Sequence, residues 1–140
     1  MDAHDSVDIL LAEDNDADAE LTIHALRSIG IRNRVFHVQD GVEALAFLFR
    51  EGRFANRDSA LPKLVLLDIG MPMLDGMSVL RQLREHASTK DLPVAMLTAS
   101  TKESEFFESQ HLRVWDYLVK PVKAEALMEL IKQSGLSLAS

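Results

Sequence analysis

The feature that most constrains this chain is the run Leu64-Val65-Leu66-Leu67-Asp68, followed by Ile69-Gly70-Met71-Pro72-Met73-Leu74-Asp75-Gly76. Four apolar residues lead into one carboxylate. The chain then breaks at glycine and proline before a helical pattern restarts. An unbroken apolar run of this length, closed by turn residues, reads as a strand buried on both faces. Such strands belong to parallel sheets covered by helices. In open sheets of that kind the ligand crevice lies at the carboxyl edge, so Asp68 stands where chemistry is expected. Taken alone, the same aspartate could equally cap the turn that follows it.

The rest of the chain repeats the theme. Residues 7–12, 33–38, 63–68, 94–98 and 115–119 read as strands, with Pro93 opening the fourth. Helical patterns lie between them. Ala17, Leu21 and Ala25, with Leu26 and Ile29, give the first helix, which Gly30 stops; Asp16 can cap it. Asp40-Gly41-Val42-Glu43 has the spacing of a capping box, and Ala44, Leu45, Leu48 and Phe49 continue that helix. Residues 52–62 read as a polar connection, longer than usual. Asp75 caps a third helix carrying Val79, Leu80, Leu83 and Ala87. A weaker pattern runs from Thr101 to about Leu112 with Phe106 and Phe107. Ala124, Leu127, Met128 and Ile131 form the last helix, with Gly135 as its stop. Five βα units imply an α/β fold: a doubly wound, five-stranded parallel sheet with helices on both faces. The whole chain, 1–140, is expected to be one domain with its core over about residues 7–134.

Composition narrows the function. The chain is 47% hydrophobic and 26% charged, with a formal net charge of −7 and no cysteine. No basic face of the kind nucleic-acid binding needs is present, and no apolar run approaches a membrane span. Residues 1–6 lack the basic start of a secretory signal. The expectation is therefore a cytoplasmic protein that does not bind DNA or membrane, and the negative balance suits a cation site. The five histidines show no ligand spacing, and Met71, Met73 and Met77 read as loop and core filling.

Polar residues close four of the five strands: Glu13-Asp14, Asp68, Thr98 and Lys120. In a parallel sheet these ends lie along one edge. Three carboxylates there would raise one another's pKa values, and a divalent cation removes that penalty. Carboxylate and carbonyl oxygens suit Mg²⁺, which usually keeps several waters beside one or two carboxylates. A lysine and a hydroxyl beside such a cation are suited to a phosphoryl group, whose charge lies on its outer oxygens.

With these residues in place, the sequence resembles the receiver domain of two-component response regulators, a flavodoxin-like (βα)5 fold with strand order 2-1-3-4-5. The resemblance rests on Glu13-Asp14, on Asp68 within Leu-Leu-Asp-Ile-Gly-Met-Pro-Met-Leu-Asp-Gly, on Thr98-Ala99, on Tyr117 and on Lys120-Pro121. It covers about residues 7–134. The stretch Phe47-Leu48-Phe49-Arg50-Glu51-Gly52 is similar to stand-alone receivers that accompany bacterial phytochromes. The resemblance implies that Asp68 accepts a phosphoryl group from a sensor histidine kinase, a bacteriophytochrome being one candidate, or from a phosphotransfer protein. It implies that Glu13, Asp14, Asp68 and the backbone carbonyl of Gly70 hold Mg²⁺. Lys120 would pair with Asp68 or the phosphoryl oxygens, Thr98 would donate its hydroxyl to the phosphoryl group, and Tyr117 would follow it. The Lys120-Pro121 bond would be cis.

The pattern departs from the family twice. Where a glycine commonly precedes the fifth strand, this chain has His111-Leu112-Arg113-Val114, and Trp115 and Asp116 then replace the small or polar residues common there. Two other readings compete with the signalling module. A haloacid-dehalogenase-type phosphatase also uses an aspartyl nucleophile with a hydroxyl and a lysine, but its second acid would fall at Gly70. An unphosphorylated docking module would not need the complete set of five polar residues. Four aromatics, Phe106, Phe107, Trp115 and Tyr117, crowd the fourth helix and fifth strand. A short helix beside an edge strand cannot bury all of them, so a homodimer through helix four, strand five and helix five is expected.

Overall fold

The computed structural model describes residues 7–57, 60–108 and 110–134. Strands and helices alternate as β1 (Ile9–Ala12), α1 (Asp16–Ser28), β2 (Val35–Val38), α2 (Gly41–Leu48), β3 (Leu64–Asp68), α3 (Gly76–Glu85), β4 (Val94–Thr98), α4 (Thr101–Glu108), β5 (Asp116–Val119) and α5 (Ala124–Ser134). The strands form one sheet in the order β2-β1-β3-β4-β5, and every pairing is parallel. The doubly wound flavodoxin-like arrangement expected from the sequence is the observed one.

Side chains alternate across a strand, which divides each apolar run between two cores. Leu10, Val65, Leu67, Val94 and Met96 pack with Phe47, Leu80, Leu83 and Phe107 on one face. Ile9, Leu11, Leu64, Leu66, Ala95 and Leu97 pack with Leu26, Leu127 and Leu130 on the other. Both faces of β1, β3 and β4 are covered, and that is why these three read as apolar runs, while the edge strands β2 and β5 are partly exposed and carry His37 and Asp116. The alternation carries Glu13 and Asp68 onto the α1/α5 side. Register does the rest. Ala12 pairs with Leu67, so Glu13 comes level with Asp68, and Thr98 pairs with Val119, one residue before Lys120.

The helix starts follow capping chemistry. Asp40 accepts the Glu43 N–H at 2.8 Å, and Glu43 reaches back to the Gln39 N–H at 3.1 Å. Asp75 accepts the Ser78 N–H at 2.9 Å. For α1 the cap is Asn15 rather than the expected Asp16: Asn15 is extended and its side chain accepts the Asp18 N–H at 2.9 Å, whereas Asp16 is already the first helical residue. Gly41 lets the start of α2 touch the loop after β3, because a Cβ there would lie 2.0 Å from the Leu74 carbonyl oxygen.

Other boundaries differ from expectation. Strands one, two, three and five start one or two residues later than their apolar patterns suggest, as frayed strand ends commonly do. Residues 52–62 are not simply a polar connection. Phe54 is buried against Phe36 and Phe47, and the Arg57 guanidinium stacks on Phe47 while donating to the carbonyls of Phe47 and Ala60. Gly135, the expected stop of the last helix, lies outside the described residues. The fourth helix ends at Glu108, short of Leu112. Gln110 and His111 close it with hydrogen bonds to Phe107 and Glu108, and His111 takes a left-handed backbone with φ +59°. A residue with a side chain thus takes a backbone conformation that glycine adopts at no steric cost, within the stretch His111-Leu112-Arg113-Val114 that lacks the family's glycine. Beyond it, Arg84 gathers the chain by donating to the carbonyls of Thr89, Lys90, Leu92 and Arg113.

A left-handed conformation costs a residue with a Cβ roughly 1–2 kcal/mol, part of which glycine returns through its larger unfolded-state entropy. His111→Gly is therefore expected to stabilise the fold by about 0.5–1 kcal/mol, read as a higher urea midpoint at unchanged slope.

Candidate functional site

The carboxyl edge of the sheet brings Glu13, Asp14 and Asp68 together, with one oxygen from each within 4.8 Å of the others. Glu13 and Asp68 are buried, while Asp14 is exposed at the mouth. The segment carrying the first two acids is held from the β2 side. His37 Nε2 lies 2.7 Å from the Glu13 carbonyl oxygen. A carbonyl can only accept, so the ring carries its proton on Nε2. Gln39 donates its amide to Asp16 at 2.8 Å. Two side chains from the end of β2 thereby fix the loop that presents Glu13 and Asp14. Gly76 closes the opposite side. Its N–H donates to the Ile69 carbonyl at 2.9 Å, and a Cβ would sit 2.5 Å from the Asp68 carbonyl oxygen.

Lys120 reaches into this cluster. Its Nζ lies 3.0 Å from Asp68 Oδ2, 3.1 Å from Glu13 Oε1 and 3.4 Å from Asp18 Oδ2. An ammonium has three protons, and each has a carboxylate. The Lys120-Pro121 bond is cis, as the resemblance implied. The strand-end pattern that marks the other site residues does not mark Asp18, which lies inside α1. The available signal was the helical pattern itself, which places Asp18 in the first turn of α1, next to the strand ends. Burial opposes the charge on Lys120, but Asp68 and Glu13 outweigh it and hold its pKa above the ordinary lysine value. Glu13 moves the other way for an acid: burial first, then its hydrogen bond and repulsion with Asp68, push it up to about 7.

Thr98 and Tyr117 stand beside this cluster. Thr98 is fully buried, and its hydroxyl is directed toward α4, 2.7 Å from Glu103 Oε1 and 2.9 Å from the Ser100 carbonyl oxygen. Tyr117 is half-buried, edge-on to Phe107 at 6.1 Å between ring centroids. The Gly70 N–H donates to Asp68 Oδ1 at 3.1 Å. The structure thus gathers Glu13, Asp14, Asp68, Gly70 and Lys120 at one point. It sets Thr98 and Tyr117 on the path leading from that point to α4.

The donor set fits a hard divalent cation. Three carboxylate oxygens converge, and one exposed acid leaves the remaining positions open to water. No ligand other than oxygen is offered, which disfavours softer metals.

A parallel sheet in this order, with an acid cluster, a hydroxyl and a lysine at its carboxyl edge, defines a receiver. Residues 9–132 match the response regulator receiver domain family, and the chain belongs to it. Response regulator Rcp1 of Synechocystis sp. (strain ATCC 27184 / PCC 6803 / Kazusa) is 35% identical over 124 residues, covering 89% of this chain and 83% of Rcp1. Among solved structures, the bacteriophytochrome response regulator RtBRR is 40% identical with a TM-score of 0.88, covering 94% of this chain and 80% of its own. The phosphorylated cyanobacterial phytochrome response regulator RcpA is 36% identical with a TM-score of 0.74, covering 94% and 97%. Rcp1 has itself been solved with Mn²⁺ bound.

The raised pKa of Glu13 makes stability depend on pH. Between about 4.5 and about 7 the folded protein binds more protons than the unfolded chain. Stability of the metal-free protein therefore falls as pH rises through that window and loses nothing further from this group above it. Urea midpoints from pH 5 to pH 8 should show the fall in the native protein and not in Glu13→Gln. Added Mg²⁺ should stabilise the native protein more at pH 8 than at pH 6, since binding favours the ionised carboxylate.

Proposed function

We propose that Asp68 is the phosphoacceptor of this response regulator. The observation that carries the reading is the Lys120 ammonium, held 3.0 Å from Asp68 and 3.1 Å from Glu13 at the mouth of the sheet. The donor is a phosphohistidine on a sensor histidine kinase or a phosphotransfer protein. An Asp68 carboxylate oxygen forms the new O–P bond as the P–N bond breaks, and the electron pair stays on the imidazole nitrogen. Lys120 meets the charge on the phosphoryl oxygens, at the cost of its contact with Asp68. Glu13, Asp14, Asp68 and the Gly70 carbonyl are the residues that would hold Mg²⁺. Once bound, the cation neutralises the acids and the incoming group. The Gly70 N–H keeps Asp68 oriented through its other oxygen.

The phosphoryl group adds roughly two negative charges and strong acceptor oxygens beside a buried hydroxyl. Thr98 turns toward it, Tyr117 follows, and the face made by α4, β5 and α5 changes shape. The domain's own residues catalyse both the transfer from phosphohistidine and the later loss of the phosphoryl group to water, and the domain turns over no small-molecule metabolite. The likeness to RtBRR, a bacteriophytochrome response regulator, and to RcpA, a phytochrome response regulator, supports a bacteriophytochrome as the kinase. Among the described residues no helix is long and apolar enough to cross a membrane, which agrees with action in the cytoplasm. A phosphatase of the haloacid dehalogenase type is not supported, because Gly70 occupies the place of its second acid.

The output face supports self-association. Phe106, Trp115 and Val119 are exposed there, and Tyr117, Val119, Lys123 and Ala126 line a groove of about 540 Å³. We read this as the seat of a homodimer, in which a two-fold axis places the same patch on both partners.

Acetyl phosphate with Mg²⁺ should add one phosphoryl group to the native protein, seen by intact mass, and none to Asp68→Asn. Asp14→Ala should weaken Mg²⁺ binding by tenfold or more. Sedimentation of the same samples should give a dimer that Trp115→Ala weakens. Phosphorylation of Asp68→Asn would contradict the assignment, and steady turnover of unrelated phosphate esters would favour the phosphatase.

A further inference from the structure

The family's use of a strand-four hydroxyl does not say what that hydroxyl does before a phosphoryl group arrives. Here the answer lies in the first turn of α4. Ser100 and Glu103 form a capping box: the Ser100 hydroxyl oxygen accepts the Glu103 N–H at 3.2 Å, and Glu103 Oε1 reaches back to accept the Ala99 N–H at 3.0 Å. That spacing is the usual helix-start signature. What is added is Thr98. Its Oγ1 lies 2.7 Å from the same Glu103 oxygen, and it accepts the Ser100 N–H at 3.3 Å.

A threonine hydroxyl has one proton to give. Two acceptors are in reach, the Glu103 carboxylate at 2.7 Å and the Ser100 carbonyl at 2.9 Å. The charged and shorter one is the stronger partner. Thr98 is completely buried, so its hydroxyl cannot leave for solvent. It can abandon Glu103 only for another acceptor inside the site.

We propose that Glu103 is the positioning residue that latches the Thr98 hydroxyl in the resting state, so that the cap of α4 and the phosphoryl group on Asp68 compete for one proton. The inference rests on Asp68 being the phosphoacceptor. It assigns Glu103 a role in setting how readily the switch turns. The same carboxylate holds the first turn of α4, and Phe107 of that helix packs on Tyr117. Release of the hydroxyl from Glu103 therefore reaches the output face through the helix that Glu103 caps. A ligand that needs the proton must first break the latch, so its apparent affinity is reduced by the fraction of molecules in which the latch is closed.

The test is a double-mutant cycle read by binding of a phosphoryl mimic. Beryllofluoride with Mg²⁺ is titrated into the native protein, Glu103→Gln, Thr98→Val and the double variant, and bound fluoride is followed by fluorine NMR. Glutamine also serves at this capping position, so Glu103→Gln keeps the helix start while replacing a charged acceptor with a neutral one. It should bind beryllofluoride about tenfold more tightly than the native protein. In the Thr98→Val background the same change should have no effect, because no hydroxyl is left to release. Glu103→Ala, which removes the acceptor altogether, should tighten binding at least as much. Equal or weaker binding by Glu103→Gln and Glu103→Ala would overturn the latch. Equal tightening with and without the Thr98 hydroxyl would also overturn it, since that result belongs to general repulsion between Glu103 and an anion. If the native protein binds no beryllofluoride, the phosphoacceptor reading itself falls, and the latch with it.

Discussion

The ammonium of Lys120 is the interaction on which the site depends. Glu13, Asp14, Asp18 and Asp68 lie near one another, and two of them are buried. Like charges at such distances repel strongly once water is excluded. One cation with three protons, each given to a different carboxylate, lets the cluster persist without a metal. The cost shows at Glu13, which is pushed up to about 7 although it keeps the lysine. The site is thus held together by a countercharge that ligands can displace. A divalent cation would compete for the same Glu13 and Asp68 oxygens, and a phosphoryl group would compete for the lysine.

The sheet makes this possible. Lys120 leaves β5, which is separated from β1 by β3 and β4, yet its Nζ is 3.1 Å from Glu13. The loop after β5 and the full length of the lysine side chain span the crevice. The hydroxyl arm works differently. Thr98 is tied into the start of α4 rather than to the acids, so the two arms of the site are separate at rest. In the proposed function the phosphoryl group on Asp68 engages both arms at once.

Much of this was legible in the sequence. Apolar runs marked the three buried central strands, shorter mixed patterns marked the half-buried edge strands, and the polar closures of four strands named Glu13, Asp14, Asp68, Thr98 and Lys120. Parallel pairing aligns strand ends, so distant residues meet without further information. What the sequence did not show was the choice of partner within the first turn of a helix. Asp18 and Glu103 look like ordinary acidic residues at helix starts, where the macrodipole favours them; only the packing shows that each also reaches a site residue. His37 and Gln39 were hidden for a similar reason, because a strand's pattern does not say which side chains clamp a neighbouring loop. Phe54 and Arg57 were masked by the polar residues around them. The stretch 111–114 lacks the glycine common in the family, and no sequence pattern says that His111 is the residue in it that turns left-handed.

If Lys120 is a built-in cation, it must compete with the metal. Calorimetric titration of Mg²⁺ into the native protein and into Lys120→Met tests this most directly. Methionine keeps much of the side-chain bulk and removes the charge. Lys120→Met should bind Mg²⁺ about tenfold more tightly, because the acids no longer have an ammonium to give up. Unchanged or weaker binding would contradict it, and would mean that the lysine orders the carboxylates for the metal rather than standing in its place.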